Sequence, residues 1–210
     1  MDKKLTRHIP EIDICEIDNI SFDDALQKSL TQNADYDVDQ WLYVPNSYTE
    51  YRYILGTKGN NPIICIGINP STAKPGALDP TLKSVERIAF SNGFDSFLML
   101  NVIAQRATLP ENIDKKMNKT LHKENLKSFE FVLNLIPFPY IWAAWGTIIL
   151  NRPYLMECLS DIAALAKQYN AKWLCAGNCS KAGHPHHPLY LKKDEQFKPF
   201  DIDNYLKRTF

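Results

Sequence analysis

Short, uninterrupted apolar segments alternate along the chain with amphipathic segments of helical length. Strands that are buried on both faces of a sheet have this continuous apolar character. The four candidate strands are residues 62–68, 97–100, 140–145 and 173–176. The candidate helices are residues 79–92, 119–136 and 153–169. Because alternating strands and helices form parallel sheets covered on both faces, the pattern predicts a three-layer α/β/α sandwich with a mostly parallel central sheet.

The first part of the chain differs in charge from the rest. The first 40 residues contain ten acidic and four basic side chains, whereas the remainder contains 14 acidic and 20 basic ones. This contrast predicts an acidic N-terminal extension over residues 1–45 and an α/β domain over residues 46–210. The elements expected around this boundary are a helix at 22–30 and a strand at 51–55 that ends at Gly56.

The charge and composition of the whole chain argue against several classes of protein. Its 24 acidic and 24 basic side chains give no net charge, which argues against a polybasic nucleic-acid binder. No apolar run reaches the roughly 20 residues that a membrane span needs, and the N-terminus lacks the apolar core of a signal peptide. Five cysteines fit reduced thiols better than a disulfide framework, so a cytoplasmic protein without a membrane partner is expected.

The common motifs of α/β enzymes are absent from the sequence. The chain has no GxxxxGK(S/T) phosphate loop, no GxGxxG dinucleotide fingerprint, no GxSxG nucleophile elbow and no HExxH metal motif. We therefore expect neither a cofactor nor a resident metal.

Polar and small residues follow the predicted strands at the point where each strand ends. In open parallel sheets the ligand crevice lies beyond the carboxyl ends of the strands. The residues at this edge are Asn69, Pro70, Ser71 and Thr72 after the first strand, Asn101 after the second, Gly146 after the third, and residues 177–187 after the fourth. The sequence therefore predicts a binding site at this edge.

Two asparagines and one histidine at this edge are the candidates for chemistry. Asn69 lies in a loop that Pro70 stiffens, which suits a residue that positions a water molecule, although Asn-Pro-Ser is also an ordinary turn sequence. The carboxamide of Asn101 matches a nucleobase edge that carries a carbonyl next to an N–H, or it caps a turn. His187 is flanked by prolines and is a candidate to donate a hydrogen bond to the oxyanion of a leaving group.

The histidine-rich loop leaves two other interpretations open. It is a solvent-exposed loop, or it binds zinc, although the spacing of its ligands matches no common zinc finger. The four candidate zinc ligands are Cys175, Cys179, His184 and His187.

Other basic and aromatic side chains lie near the predicted site. Arg106 follows the second strand and is a candidate to bind a phosphate or to pair with Asp79. Trp142 and Trp145 are predicted to point to the same sheet face, with Trp142 in the core and Trp145 lining a pocket. One helix face also carries a row of lysines, which fits either a phosphate contact or a solvated surface. The row consists of Lys119, Lys123 and Lys127.

The motifs at the strand ends resemble those of two groups of proteins. Over residues 50–200 the chain resembles the bacterial domain-of-unknown-function family 1643. The residues that carry this resemblance are Asn69-Pro-Ser-Thr72, Asp79-Pro-Thr81, Asn101, Arg106-Ala-Thr108, Trp145-Gly146 and His187-Pro-Leu-Tyr-Leu191. The chain also resembles the uracil-DNA glycosylase superfamily, whose ordered motifs are similar to Gly67-Ile-Asn-Pro70, Leu100-Asn101 and His187-Pro188.

The glycosylase resemblance implies a fold and residue roles. It implies a uracil-DNA-glycosylase-like sheet in which Asn69 positions the attacking water, Asn101 reads the base edge and His187 stabilises the departing base anion. The chain departs from that superfamily at Leu189, where the usual motif has a serine. The complete set of candidates for substrate binding is Pro70, Ser71, Thr72, Asn101, Arg106, Trp145, Gly146 and His184.

Three functions remain open, and the sequence does not decide whether the protein is an enzyme. The first is hydrolysis of the N-glycosidic bond of a nucleobase in DNA or in a nucleotide, which in a duplex requires that the base be flipped out. The second is a non-catalytic module that binds a nucleobase or a nucleic acid. The third, less favoured, is a zinc-dependent hydrolase that uses the loop rich in cysteine and histidine.

Overall fold

The structure is a computed structural model that describes residues 7–11, 21–31 and 35–209. Its strands are β1 (Trp41–Val44), β2 (Ile54–Thr57), β3 (Pro62–Gly67), β4 (Ser96–Asn101), β5 (Tyr140–Ala143), β6 (Lys172–Ala176) and β7 (Phe197–Pro199). Its α-helices are α1 (Phe22–Ser29), α2 (Pro80–Ser91), α3 (Lys119–Leu135), α4 (Pro153–Gln168) and α5 (Ile202–Thr209). Short 3₁₀-helices lie at Pro110–Asn112, Gly146–Asn151 and Pro188–Tyr190.

The seven strands of the described residues form one sheet in the order β1-β2-β4-β3-β5-β6-β7. The central strands β4, β3, β5 and β6 are parallel, with Gly67 opposite Asn101 and Ile66 opposite Ala143. Strands β2 and β7 run antiparallel to their neighbours. The predicted α/β class is confirmed, and its parallel pairs occupy the centre of the sheet. The antiparallel edges were not predicted, because β1 and β7 have only four and three residues and show no clear period.

Helices cover both faces of the sheet because successive residues of each buried strand point to opposite sides. On β3, Ile63 and Cys65 pack with the apolar side chains of α2. Ile64 and Ile66 pack on the other face with those of α3 and α4, and α1 and α5 contribute Phe22 and Ile202 to the same cluster. The sheet is therefore the middle of three layers.

The starts of the helices follow from residues that the sequence places there. Helix α2 begins after Asp79, whose Oδ1 accepts a hydrogen bond of 2.9 Å from the backbone N of Leu82. Helix α3 begins after Asn118, whose Oδ1 accepts a bond of 3.0 Å from the backbone N of Leu121. Both are N-caps that satisfy backbone donors left free at a helix start, so the two predicted starts agree with the structure to within one residue.

Two local predictions were wrong. The strand predicted at residues 51–55 to end at Gly56 instead runs from Ile54 to Thr57, since Gly56 pairs with Leu98 inside the sheet. Trp142 and Trp145 lie on opposite faces, Trp142 with the α2 side and Trp145 with the side of α3 and α4. Three positions separate the two tryptophans, and an odd spacing along extended backbone reverses the side-chain direction.

The segment before residue 46 contributes to the sheet through β1, which pairs with β2. Helix α1 packs beside it, and the backbone N of Phe22 donates to Glu124 of α3 over 2.7 Å. The division into an extension and a domain at residue 45 stays a prediction. Among the helices of the described residues, none combines the length and the apolar character needed to cross a bilayer.

Candidate functional site

A cleft opens where the order of the parallel strands reverses direction. The chain leaves β3, returns through α2 to β4 on one side, and then crosses through α3 to β5 on the other side of β3. Such a switch point leaves a crevice beyond the carboxyl ends of the strands. The main cleft at this edge has a volume of about 410 Å³, within the range of small-molecule sites, and its lining includes Arg52, Gly67, Asn69, Asp79, Asn101 and His187.

Asn101 is the last residue of β4 and presents a buried amide without a partner. The residue is 1% exposed, and neither its Oδ1 nor its Nδ2 makes a hydrogen bond to the residues that the structure describes. Gly67 lies opposite in the register, and a Cβ added there would lie 2.9 Å from the Oδ1 of Asn101. The glycine therefore leaves room for the amide. Because buried polar groups are nearly always paired, this unpaired amide in the cleft wall is a candidate position for contact with a ligand.

Asn69 is held by its own loop. Its Nδ2 donates to the carbonyl oxygen of Pro70 over 2.9 Å and to that of Ala107 over 2.6 Å. These two bonds use the donors of the carboxamide and leave its Oδ1 as the free acceptor. Pro70 itself does not line the cleft. Its carbonyl oxygen accepts hydrogen bonds from Asn69 and from the backbone N of Ala107. Its part in the site is to shape the loop.

Ser71 and Thr72 follow in the same loop and both line the main cleft. The hydroxyl of Ser71 lies 3.0 Å from that of Thr108, which also lines the cleft. The loop after β3 and the segment after β4 are therefore joined through side chains at this edge.

His187 stands between the main cleft and a smaller one of about 190 Å³. Its Nδ1 accepts a hydrogen bond of 3.4 Å from the backbone N of Leu189. In the neutral ring the proton is then on Nε2, which is free to donate. Burial lowers the pKa of His187, and the charge of Asp79 opposes this shift only in part. The imidazole is therefore a neutral donor at pH 7.

The smaller cleft contains the other predicted residues of the last loop. Gly146 and His184 line it, and the Nδ1 of His184 lies 2.9 Å from the hydroxyl of Tyr205. The indole Nε1 of Trp145 donates to the same hydroxyl over 3.1 Å. Trp145 is fully buried and lines neither cleft. Tyr205 belongs to α5, a helix that no sequence pattern predicted, so this anchoring was missed.

Arg106 lies behind the loop rather than in the cleft. It is fully buried, its Nη2 donates to the hydroxyl of Tyr43 over 3.0 Å, and its guanidinium lies 4.2 Å from the ring centre of Tyr48. Its Nη1 donates to the carbonyl oxygens of Ser71 and Ala73. These contacts support the loop from beneath. The predicted pairing with Asp79 is not among the ion pairs of the described residues.

Three charged residues of the cleft, Arg7, Arg52 and Asp79, were missed as site residues. Arg52 lines the main cleft although it is only 1% exposed, and its Nη1 donates to the carbonyl oxygen of Ala73 over 3.1 Å. Burial, together with the nearby charge of Arg106, lowers the pKa of Arg52 to about 9, so the side chain stays cationic at neutral pH. Asp79 lines the cleft at the start of α2. An arginine between two tyrosines was the available signal for Arg52.

The candidate zinc ligands do not form a metal site among the described residues. The Sγ atoms of Cys175 and Cys179 lie 3.9 Å apart, whereas His184 faces Tyr205. Within residues 7–11, 21–31 and 35–209, no group of three or more histidine, cysteine, aspartate or glutamate side chains is arranged to hold a metal ion. These positions do not favour the zinc-dependent hydrolase.

The lysine row on α3 lies away from the cleft. Lys127 pairs with Glu124 of its own helix over 2.9 Å and with Asp23 of α1 over 3.4 Å. Lys119 and Lys123 do not line the main cleft either. The row is therefore a solvated helix face, and Lys127 forms ion pairs on it.

Comparison with known families supports one of the two resemblances. The model of a family described as "Protein of unknown function (DUF1643)" matches residues 52–189. The chain belongs to this family. The match spans β2 to β6 and contains Asn69, Asn101 and His187, whereas α5 and Tyr205 lie outside it. Searches of curated proteins and of solved structures gave no match.

Proposed function

We propose that the main cleft binds a nucleobase and that the protein hydrolyses the N-glycosidic bond of the bound ligand. The observation that carries the proposal is the amide of Asn101, which is buried in the cleft wall with both of its polar atoms unpaired. A ligand that supplies one acceptor and one donor side by side satisfies both atoms. The edges of uracil, hypoxanthine and guanine have this arrangement, with a carbonyl next to an N–H.

The other two side chains supply the chemistry of bond cleavage. In the proposed reaction the bond between the base nitrogen and the sugar C1′ breaks, and its electrons pass to the base. The Nε2–H of His187 donates to the oxyanion that develops on the base. A water held at the Oδ1 of Asn69 bonds to C1′ of the cationic sugar, and its proton leaves for solvent as the base takes one up. The proposed reaction is of the uracil-DNA-glycosylase class, whose ordered motifs the three segments resemble.

Release of free base from defined substrates tests the proposal. Purified protein is incubated with uridine, inosine and guanosine, with their monophosphates, and with single-stranded oligonucleotides that contain uracil or hypoxanthine, and the released base is measured by chromatography. We expect release that falls at least about 100-fold in Asn69→Ala and His187→Ala, in line with the loss of a group that stabilises the transition state. His122→Ala is the matched control, since His122 pairs with Asp161 outside the cleft.

A second candidate function is nucleobase binding without cleavage. It is favoured by the first motif, because the carboxamide of Asn69 cannot accept a proton from water as a carboxylate can. Binding of a base that depends on Asn101, without release from any substrate, would establish the binding module and reject the glycosidase. Release that persists in Asn69→Ala and His187→Ala would instead point to a contaminating enzyme.

A further inference from the structure

Arg52 adds a buried positive charge to the same cleft. Its side chain lines the cleft, yet the residue is 1% exposed. The Nε is buried and has no hydrogen-bond partner, and the one side-chain hydrogen bond of Arg52 within the described residues joins Nη1 to the carbonyl oxygen of Ala73. Most of the donors of this guanidinium are therefore unused.

A second buried guanidinium lies beside the first. Arg106 donates to the same carbonyl oxygen of Ala73, so the two cationic groups meet at one acceptor. Among the residues that the structure describes, no carboxylate lies within the ion-pair distance of 4.0 Å of either arginine. Buried charges are stable only when an opposite charge or a full set of hydrogen bonds compensates them. Arg106 has Tyr43, Tyr48 and Ser71 for this purpose, whereas Arg52 has no comparable set.

The remaining charges of the cleft do not cancel this excess. Asp79 is the acidic residue of the lining, and its Oδ1 is engaged by the backbone N of Leu82 at the start of α2. Arg7, which is exposed, adds a further positive charge to the lining. The cleft therefore has one carboxylate against two lining arginines, with Arg106 behind them. An anion is the ligand group that balances these charges.

We propose that the ligand is a nucleotide whose phosphate binds Arg52 while its base binds Asn101. A guanidinium presents several donors in a plane and binds phosphate oxygens through paired, charge-assisted hydrogen bonds. The phosphate part of the proposal rests on Arg52 as the binding side chain, with Arg7 adding positive charge to the same lining, whereas its extension to a nucleotide rests on the proposed base-binding function. The phosphate is either that of a free nucleotide or that of a nucleic-acid strand, and the two sources share this chemistry.

Calorimetric titration of the full chain tests the phosphate site. Each ligand is titrated separately. The ligands are matched pairs of a nucleoside and its 5′-monophosphate, with uracil, hypoxanthine or guanine as the base, as well as inorganic phosphate and a single-stranded uracil oligonucleotide. We expect the best monophosphate to bind about 10- to 100-fold more tightly than its nucleoside, the range that a charged hydrogen bond gives. Tighter binding of the monophosphate than of the oligonucleotide identifies a free nucleotide, and the reverse order identifies a strand.

Substitution of Arg52 assigns the effect to this side chain. Arg52→Gln is expected to remove the difference between monophosphate and nucleoside, which is measured as the ratio of the two affinities within the variant. Arg152→Gln is the matched control, because Arg152 also donates to backbone carbonyls but lies outside both clefts. If Arg52→Gln does not fold, two other measurements test the site. Arg7→Gln must weaken monophosphate binding. Phosphate must also raise the melting temperature of the wild type more than chloride of equal ionic strength does.

The failures of the two proposals are distinguishable. Equal affinity for nucleosides and monophosphates, or phosphate binding that survives Arg52→Gln, overturns the phosphate site and leaves base cleavage intact. Phosphate binding that requires Arg52, in a protein that binds no nucleoside and releases no base, supports the anion site and overturns the proposed function.

Discussion

Replacing Asn101 by leucine is expected to stabilise the unliganded protein while it abolishes base binding. The amide of Asn101 is buried and both of its polar atoms lack partners, so the folded protein bears the desolvation of two polar groups without compensation. Leucine has the same branched shape and no polar atoms. Removing the amide therefore removes the penalty, but it also removes the groups that recognise a base.

The size of the effect follows from those two atoms. A buried donor or acceptor without a partner costs about 1–3 kcal/mol. The larger methyl groups of leucine must fit beside Gly67, where overpacking offsets part of the gain. We expect a net increase of about 2 kcal/mol in the free energy of unfolding. For a chain of this length that increase raises the melting temperature by roughly 4–8 °C.

Urea unfolding followed by tryptophan fluorescence measures the change, and nucleoside titration measures the lost binding. Gln105→Met is the matched control, because Gln105 is also buried but both of its amide atoms are paired: its Nε2 donates to Asp114 Oδ1 over 3.0 Å, and its Oε1 accepts from the backbone N of Asp114 over 3.0 Å. The control is expected to lose about 1 kcal/mol or more. If Asn101→Leu is destabilised by a similar amount, the amide has partners in the folded protein and the reasoning about an unsatisfied ligand site is wrong.

Three further changes test other parts of the site. Burial lowers the pKa of His187 in the folded protein below its ordinary value. Its contribution to the free energy of unfolding is therefore complete above about pH 6.5 and is lost on acidification, by at most about 1.4 kcal/mol per pH unit. His187→Gln should flatten this pH dependence, as measured by urea unfolding. Gly67→Ala places a Cβ 2.6 Å from the Cε of Met99 in the cleft wall, and we expect about 1–3 kcal/mol of destabilisation with at least tenfold weaker nucleoside binding. Trp145→Phe removes the hydrogen bond to Tyr205 and should cost about 0.5–1.5 kcal/mol in unfolding without changing ligand affinity.

Each of these results has a contrary outcome. A pH dependence that His187→Gln leaves unchanged would mean that other groups dominate acid unfolding. Full nucleoside affinity in Gly67→Ala would separate the glycine from the binding site. A Trp145→Phe variant with altered ligand affinity would place the indole closer to the ligand than its burial indicates.

The pattern of the sequence was sufficient for the central part of the fold. Buried parallel strands are continuous apolar segments and covering helices have a 3.6-residue period, so both are visible locally. The same period predicted the starts of α2 and α3 to within one residue, and the structure adds that Asp79 and Asn118 cap them. The short edge strands and α5 carried no comparable signal.

The residues around the site divide in the same way. The sequence pattern drew attention to Asn69 and Asn101 after buried strands and to His187 in the loop after the last predicted strand. The structure places all three along one cleft. Their roles stay proposals. Arg52 lies two residues before β2 and Arg106 lies five residues after β4. Nothing local distinguishes the arginine that lines the cleft from the one that supports its loop.

Local pattern predicted the type, order and approximate limits of the central strands and helices, together with the polar residues at the strand ends. These features depend on neighbours within one or two turns of chain. The folded chain was needed to show that Arg52 lines the cleft, that Arg106 lies beneath the loop, and that Tyr205 contacts His184. Those outcomes depend on strand register and on the packing of segments that are far apart in the chain, and no local period encodes such contacts.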